Sequence, residues 1–115
     1  MARRILLLGR KGIVVDDAKS QIDDPGLEIL GGTCIDDVRA AFADDGGGGG
    51  GGATGSIDHV FMGAGIDLEL RLEIVREIFQ RSSTTTVHLK DASSGPKGFL
   101  PFVKAVLEGL KENNL

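Results

Sequence analysis

The chain has 115 residues, a formal net charge of −4 from 13 basic and 17 acidic residues, one cysteine, and neither tryptophan nor tyrosine. That length allows one domain with a single core and one crevice, and the acidic balance argues against partners that need a basic face, namely nucleic acid and anionic membranes. The lone cysteine cannot form an internal disulfide, no segment approaches the roughly 20 apolar residues of a membrane span, and the N-terminal apolar run is short for a signal-peptide core, so a cytoplasmic setting is expected.

The chain opens with Ile5-Leu6-Leu7-Leu8-Gly9, an unbroken apolar run entered from Arg3-Arg4 and closed by Gly9-Arg10-Lys11-Gly12. A strand without polar alternation must be covered on both faces, as in the interior of a parallel sheet. From Ile13 to Asp23, apolar residues at Val14 or Val15, Ala18 and Ile22 have helical spacing, and Asp24-Pro25-Gly26 supplies the stop. Leu27 to Leu30 reads as a second strand, at an edge because Glu28 interrupts it. After Gly31-Gly32, Thr33 with Asp36 has the spacing of a capping box for a helix through Ala43, with Ile35, Val38, Ala41 and Phe42 as its buried stripe. Residues 44–56, including seven consecutive glycines from 46 to 52, read as a mobile loop, because such a tract has high backbone entropy and nothing to pack.

His59-Val60-Phe61-Met62 is a third strand, again interior, followed by Gly63-Ala64-Gly65, with Asp67 as N-cap of a helix from Leu68 to Arg81. Leu68, Leu72, Val75 and Phe79 form a stripe assigned to the sheet, and Leu70, Ile74 and Ile78 form a second stripe, more apolar surface than one sheet contact needs. Thr84 to Lys90 alternates, with Thr84, Thr86, His88 and Lys90 on one side, which marks an incompletely covered edge. The loop Asp91 to Pro96 starts the last helix, with Pro96 in its first turn and Phe99, Leu100, Phe102, Val103, Val106, Leu107 and Leu110 on one face. Four repeats of strand then helix, with polar strands at the borders, predict a single α/β domain over 1–115. Its parallel sheet is doubly wound in the order 2-1-3-4, with helices on both faces.

This arrangement resembles Rossmann-like and flavodoxin-like sheets and response-regulator receiver domains, and Val14-Val15-Asp16-Asp17 is similar to a receiver's acidic pair. Gly63 stands where a receiver has its phosphoacceptor, so that resemblance implies a degenerate signalling domain without phosphoryl chemistry. Gly9-Arg10-Lys11-Gly12 has two glycines of the dinucleotide-binding fingerprint with a wider gap, and Glu28 lies about twenty residues on. Val87 to Leu110 resembles the tail of short microbial α/β proteins, a likeness that implies no activity.

The four loops at the carboxyl ends of the strands should cluster, which makes Gly9, Arg10, Lys11, Gly12, Thr33, Cys34, Gly63, Gly65, Lys90, Ser93, Ser94 and Lys97 the candidate ligand residues. Helix N-termini, open amides and cations there suit a small phosphorylated ligand or nucleotide at the switch point between strands one and three. Against this, the lysines read more simply as solvated loop charges. Cys34, in a helix's first turn, reads either as a small buried residue or as a thiol activated by the dipole. His88 reads as a surface or capped histidine, or as an acid or base reaching the crevice. One cysteine and two histidines without ligand spacing argue against zinc. The leading expectation is a non-catalytic binding or interaction module. It would be a homodimer through Leu70, Ile74 and Ile78 or through the strand-four edge. The alternative is a nucleotide-dependent enzyme or carrier with Lys90 or His88 acting on substrate.

Overall fold

A computed structural model describes residues 3–22, 24–47, 57–90 and 98–113. Four strands, β1 (Arg3–Leu8), β2 (Leu27–Gly32), β3 (His59–Met62) and β4 (Thr86–Leu89), alternate with four helices, α1 (Gly12–Gln21), α2 (Ile35–Gly47), α3 (Leu68–Arg81) and α4 (Phe99–Glu112). All pairings are parallel and the sheet order is β2-β1-β3-β4. Leu6 is level with Leu30 on one side and Val60 on the other, and Phe61 is level with His88.

The alternation of β1 divides the core. Leu6 and Leu8 point into a cluster with Val38 and Phe42 of α2 and Ile74 and Ile78 of α3. Ile5 and Leu7 point the other way, into a cluster with Val15 and Ala18 of α1 and Phe99, Val103 and Leu107 of α4. A fully apolar strand is therefore explained by its cover: residues 5–8 are all at most 1% exposed because each face carries two helices. α1 sits especially close, and a Cβ on Gly31 would come within 2.7 Å of Val15 Cγ1. Only glycine lets the helix approach β2 at that point.

Several boundaries differ from the sequence reading. α1 starts at Gly12 and stops at Gln21, and Ile13 is left 76% exposed. β2 continues through Gly31 and Gly32, because pairing to Leu7 and Leu8 satisfies their backbone groups. α2 runs to Gly47, so residues 44–47 are helical rather than loop, while 48–56 lie outside the described residues. β4 is shorter than expected, and Ser82 Oγ holds the Thr84 and Thr85 amides ahead of it. α4 begins at Phe99, so the proline in its first turn is Pro101, where no helical N–H is needed; Pro96 is outside the described residues.

The two stripes of α3 exchange roles. Ile74 and Ile78 are 1% and 0% exposed and Leu70 packs beside them, so this stripe faces the core and is not the free surface expected for a dimer. Leu68, Leu72 and Phe79 are instead 58%, 49% and 55% exposed. The neighbour α2 decides this. Val38 and Phe42 of α2 share the core with Ile74 and Ile78, and Arg39 of α2 reaches Glu77 at 3.5 Å, so the Glu77 side of α3 faces α2 and the Leu70–Ile74–Ile78 side lies on the sheet. Both stripes have helical spacing, so periodicity alone cannot rank them.

Candidate functional site

The loops at the carboxyl rim do converge. Gly63 N–H donates to Leu8 O at 2.8 Å, Gly9 N–H to Gly32 O at 3.2 Å, and Lys90 N–H to Met62 O at 3.0 Å. The loop after β1 leads to α1 on one face and the loop after β3 leads to α3 on the other, so the switch point lies between Gly9 and Gly63. Gly12 lies against Thr33, whose Cγ2 is 4.0 Å from where a Cβ would stand. Gly65 lies against Arg10, with the Arg10 Cβ only 3.2 Å from such a position. Arg10 thus leans across the switch point and narrows it.

The helix N-termini at this rim are not equivalent. At α2, the carboxylate of Asp37 accepts from Thr33 N–H at 2.8 Å. That bond, seconded by the Cys34 thiol and amide, holds the Asp37 carboxyl below its ordinary value. The carboxylate that holds the Thr33 amide is therefore Asp37 rather than Asp36, one residue later than the sequence spacing suggested. At α3, Asp67 occupies the N-cap position without a side-chain bond to the helix, and Glu69 adds negative charge to the first turn. α1, entered from the exposed Arg10 and Lys11, starts with neither an acidic residue nor a capping side chain, and α4, entered from Gly98, shares that bare start.

The other candidates separate. Lys90 is 4% exposed, so it is no open cation at the rim, and its carbonyl accepts from Arg71 Nη1 at 3.1 Å. Cys34 is exposed, contrary to the buried reading, since it occupies the turn ahead of α2 rather than its inner face. Ser93, Ser94 and Lys97 lie outside the described residues. His88 does not reach the crevice. It stacks on Phe61 with ring centroids 5.1 Å apart, on the α4 side of the sheet, and burial pushes its imidazole below the ordinary value.

Sequence reasoning missed what His88 does there. Thr86 Oγ1 lies 2.6 Å from His59 Nδ1 and 2.8 Å from His88 Nε2, a polar bridge across β3 and β4. A hydroxyl has one proton, so at most one ring accepts from it and the other must present N–H. Alternation alone puts Thr86 and His88 on one face, but the parallel register that sets Thr86 beside His59 comes from the structure. A second missed feature is a groove of about 460 Å³ between α1 and α4, at the pole opposite the rim. It is lined by Ile22, Leu27, Leu107 and charged residues, and Lys111 bridges it to Asp24. Its mixed charges and its distance from the switch point set it apart from the expected crevice.

The border of the sheet at β4 has a different character. Val87 belongs to the α3-side cluster, which by alternation puts Leu89 on that face too, and Leu89 is 43% exposed. Among the described residues, five large apolar side chains are exposed, and four of them, Leu68, Leu72, Phe79 and Leu89, belong to α3 and β4. On a helical wheel Leu68, Leu72, Val75 and Phe79 fall within about 60°, on the flank of α3 turned away from α2. No other strand covers the outer side of β4 among the described residues. Thr86 and Lys90 donate their amides inward to Asp58 O and Met62 O, so by alternation the backbone groups of Val87 and Leu89 point outward.

No protein-family model matches the chain, and neither a curated protein nor a solved structure is detectably similar to it. Among the described residues no cluster of metal-ligating side chains occurs, and no helix is long and apolar enough to cross a membrane.

Proposed function

We propose that the protein is a non-catalytic interaction module whose working surface is the open border of β4 together with the outer flank of α3. The observation that carries this is the concentration of exposed Leu68, Leu72 and Phe79 on α3 beside exposed Leu89 on β4, the border strand that no other strand covers among the described residues. An uncovered edge and a continuous apolar strip are each liabilities in a lone domain, and a partner that adds a strand and packs on the helix relieves both. The test places a photo-reactive phenylalanine analogue at Phe79 in living cells, with Glu108 on α4 as the control position. The reading expects a discrete adduct from position 79 that Leu72→Glu abolishes. Cross-linking at 79 no greater than at 108 refutes it.

The second reading is an anion site at the rim. It is favoured by the bare start of α1 beside Arg10 and Lys11, and weakened by Asp37 and Glu69 at the neighbouring helices. A melting-temperature rise with phosphate, NAD(P), flavin or nucleoside phosphates, lost in Arg10→Ala/Lys11→Ala, would support it by mass action. No rise with any of them removes it.

A further inference from the structure

We infer that the partner on this surface is a second copy of the same chain, joined β4 to β4 in antiparallel fashion about a two-fold axis, with the two α3 helices side by side. The inference rests on the interaction-module reading and names the occupant of that face. Three observations carry it.

The first is the backbone. Val87 and Leu89 present outward groups with His88 between them. A two-fold axis at His88 sets Val87 opposite the partner's Leu89 as a hydrogen-bonded pair, and the same pair recurs by symmetry. The side chains of both residues then lie on the α3 face, and Leu89 gains apolar neighbours.

The second is the height of α3. Arg71 bonds the carbonyl of Lys90, which fixes where the helix lies along β4. His88 is two residues, or about 6.6 Å, below Lys90 along the strand. That drop corresponds to about four residues of helix. The level of His88 on α3 is therefore near Val75, and the middle of the Leu68–Leu72–Val75–Phe79 strip falls between Leu72 and Val75. The axis that pairs the strands falls about 3 Å from the centre of the strip, less than one helical turn, which brings Leu68 to the region of the partner's Phe79 and Leu72 to that of the partner's Val75.

The third is charge. The solvent side of the strip carries Glu69 and Arg76, both exposed and with no ion-pair partner among the described residues. Glu69 stands about 7 Å before the strip's centre and Arg76 about 4 Å after it, so the reversed copy leaves about 3 Å of height between them, within reach of two long side chains. An axis normal to the sheet reverses height while keeping the same flank, so Glu69 of each copy comes beside the partner's Arg76. Glu69 and Arg76 are thus complementary to their own symmetry copies, as a two-fold contact requires, with Glu73 left on the solvent side near the axis.

The test is made on the purified full chain. Light scattering across a wide concentration range should give a mass twice that of the chain, and hydrogen exchange at the Val87 and Leu89 amides should slow in the dimer. Leu72→Glu should give a monomer with an unchanged circular dichroism spectrum. Because that variant could also lose its fold, the surface swaps Glu69→Arg and Arg76→Glu are made as well. Each alone sets like charges together and should weaken dimerisation roughly tenfold, and the double swap should restore it. A dimer indifferent to all three changes, or single swaps without rescue in the double, overturns the proposed geometry. A parent chain that stays monomeric while Phe79 cross-links to a protein of another mass overturns the second-copy inference and leaves the interaction module standing. A monomer with no Phe79 adduct sinks both.

Discussion

Replacing Ile74 by alanine, and separately Leu72 by alanine, tests which stripe of α3 holds the fold together. Ile74 is 1% exposed and sits in the cluster with Leu6, Leu8, Val60 and Ile78. Its truncation removes three buried carbons and leaves a cavity walled by two helices and the sheet, at a cost of about 3–4 kcal/mol. A domain of this size has roughly 6–17 kcal/mol in total, so the change takes a large share of it. Leu72 is 49% exposed, with no tight socket to leave empty, and its truncation should cost under about 1 kcal/mol in the monomer. The chain has no tryptophan or tyrosine, so urea unfolding is followed by far-ultraviolet circular dichroism, at a concentration where the parent is monomeric. The midpoint should fall steeply for Ile74→Ala and barely for Leu72→Ala, with similar slopes in both. Equal losses, or a larger loss at Leu72, would refute the assignment of faces, and the interaction surface would go with it.

Thr86→Val keeps the shape of the side chain and removes the hydroxyl between His59 and His88; it should cost about 2 kcal/mol in the same urea assay, and a neutral result would show the bridge to be incidental. Burial holds the His88 imidazole below its ordinary 6.5, so the unfolded chain takes up the proton first on acidification. Stability contributed by the neutral ring is complete above pH 6.5 and declines from there toward the lower folded value; His88→Gln should flatten that part of the melting-temperature profile. Asp37 shifts in the opposite sense to an acid's desolvation, its carboxylate being held by the Thr33 amide below 3.8. Its contribution is therefore present at neutral pH and lost as pH falls through the folded value. Asp37→Ala should cost about 1 kcal/mol near pH 7, with the gap to the parent closing in acid.

The strand order could be read from the chain because polarity, length and handedness all agreed. Residues 5–8 and 60–62 have no polar position, Glu28 and the threonines around Val87 do, and right-handed crossovers leave few arrangements for such a set. The rim was legible as a convergence of loops, since every strand of a parallel sheet ends at the same pole. What the sequence withheld were properties set by neighbours far along the chain. Lys90 looked like a loop cation, yet it is buried at the end of β4. Cys34 looked like core, yet the helix starts one residue after it. The α3 stripes are equivalent by spacing, and only packing against α2 and the sheet, from residues far along the chain, distinguishes them. The polar bridge at Thr86 likewise needs the register between β3 and β4, which neither strand encodes alone.

The central place of β1 has a temporal side. Its two partners in the sheet are β2, starting at Leu27, and β3, starting at His59, and Arg4 is locked on the latter side only when Asp58 meets it. During synthesis the greasiest segment of the molecule thus emerges ahead of both its partners and must wait for β3 before both its borders are taken. Until then Ile5 to Leu8 is a short, uncharged, sticky ribbon of the kind that seeds misassembly, and the arginines at 3 and 4 are its gatekeepers, keeping emerging copies apart by repulsion.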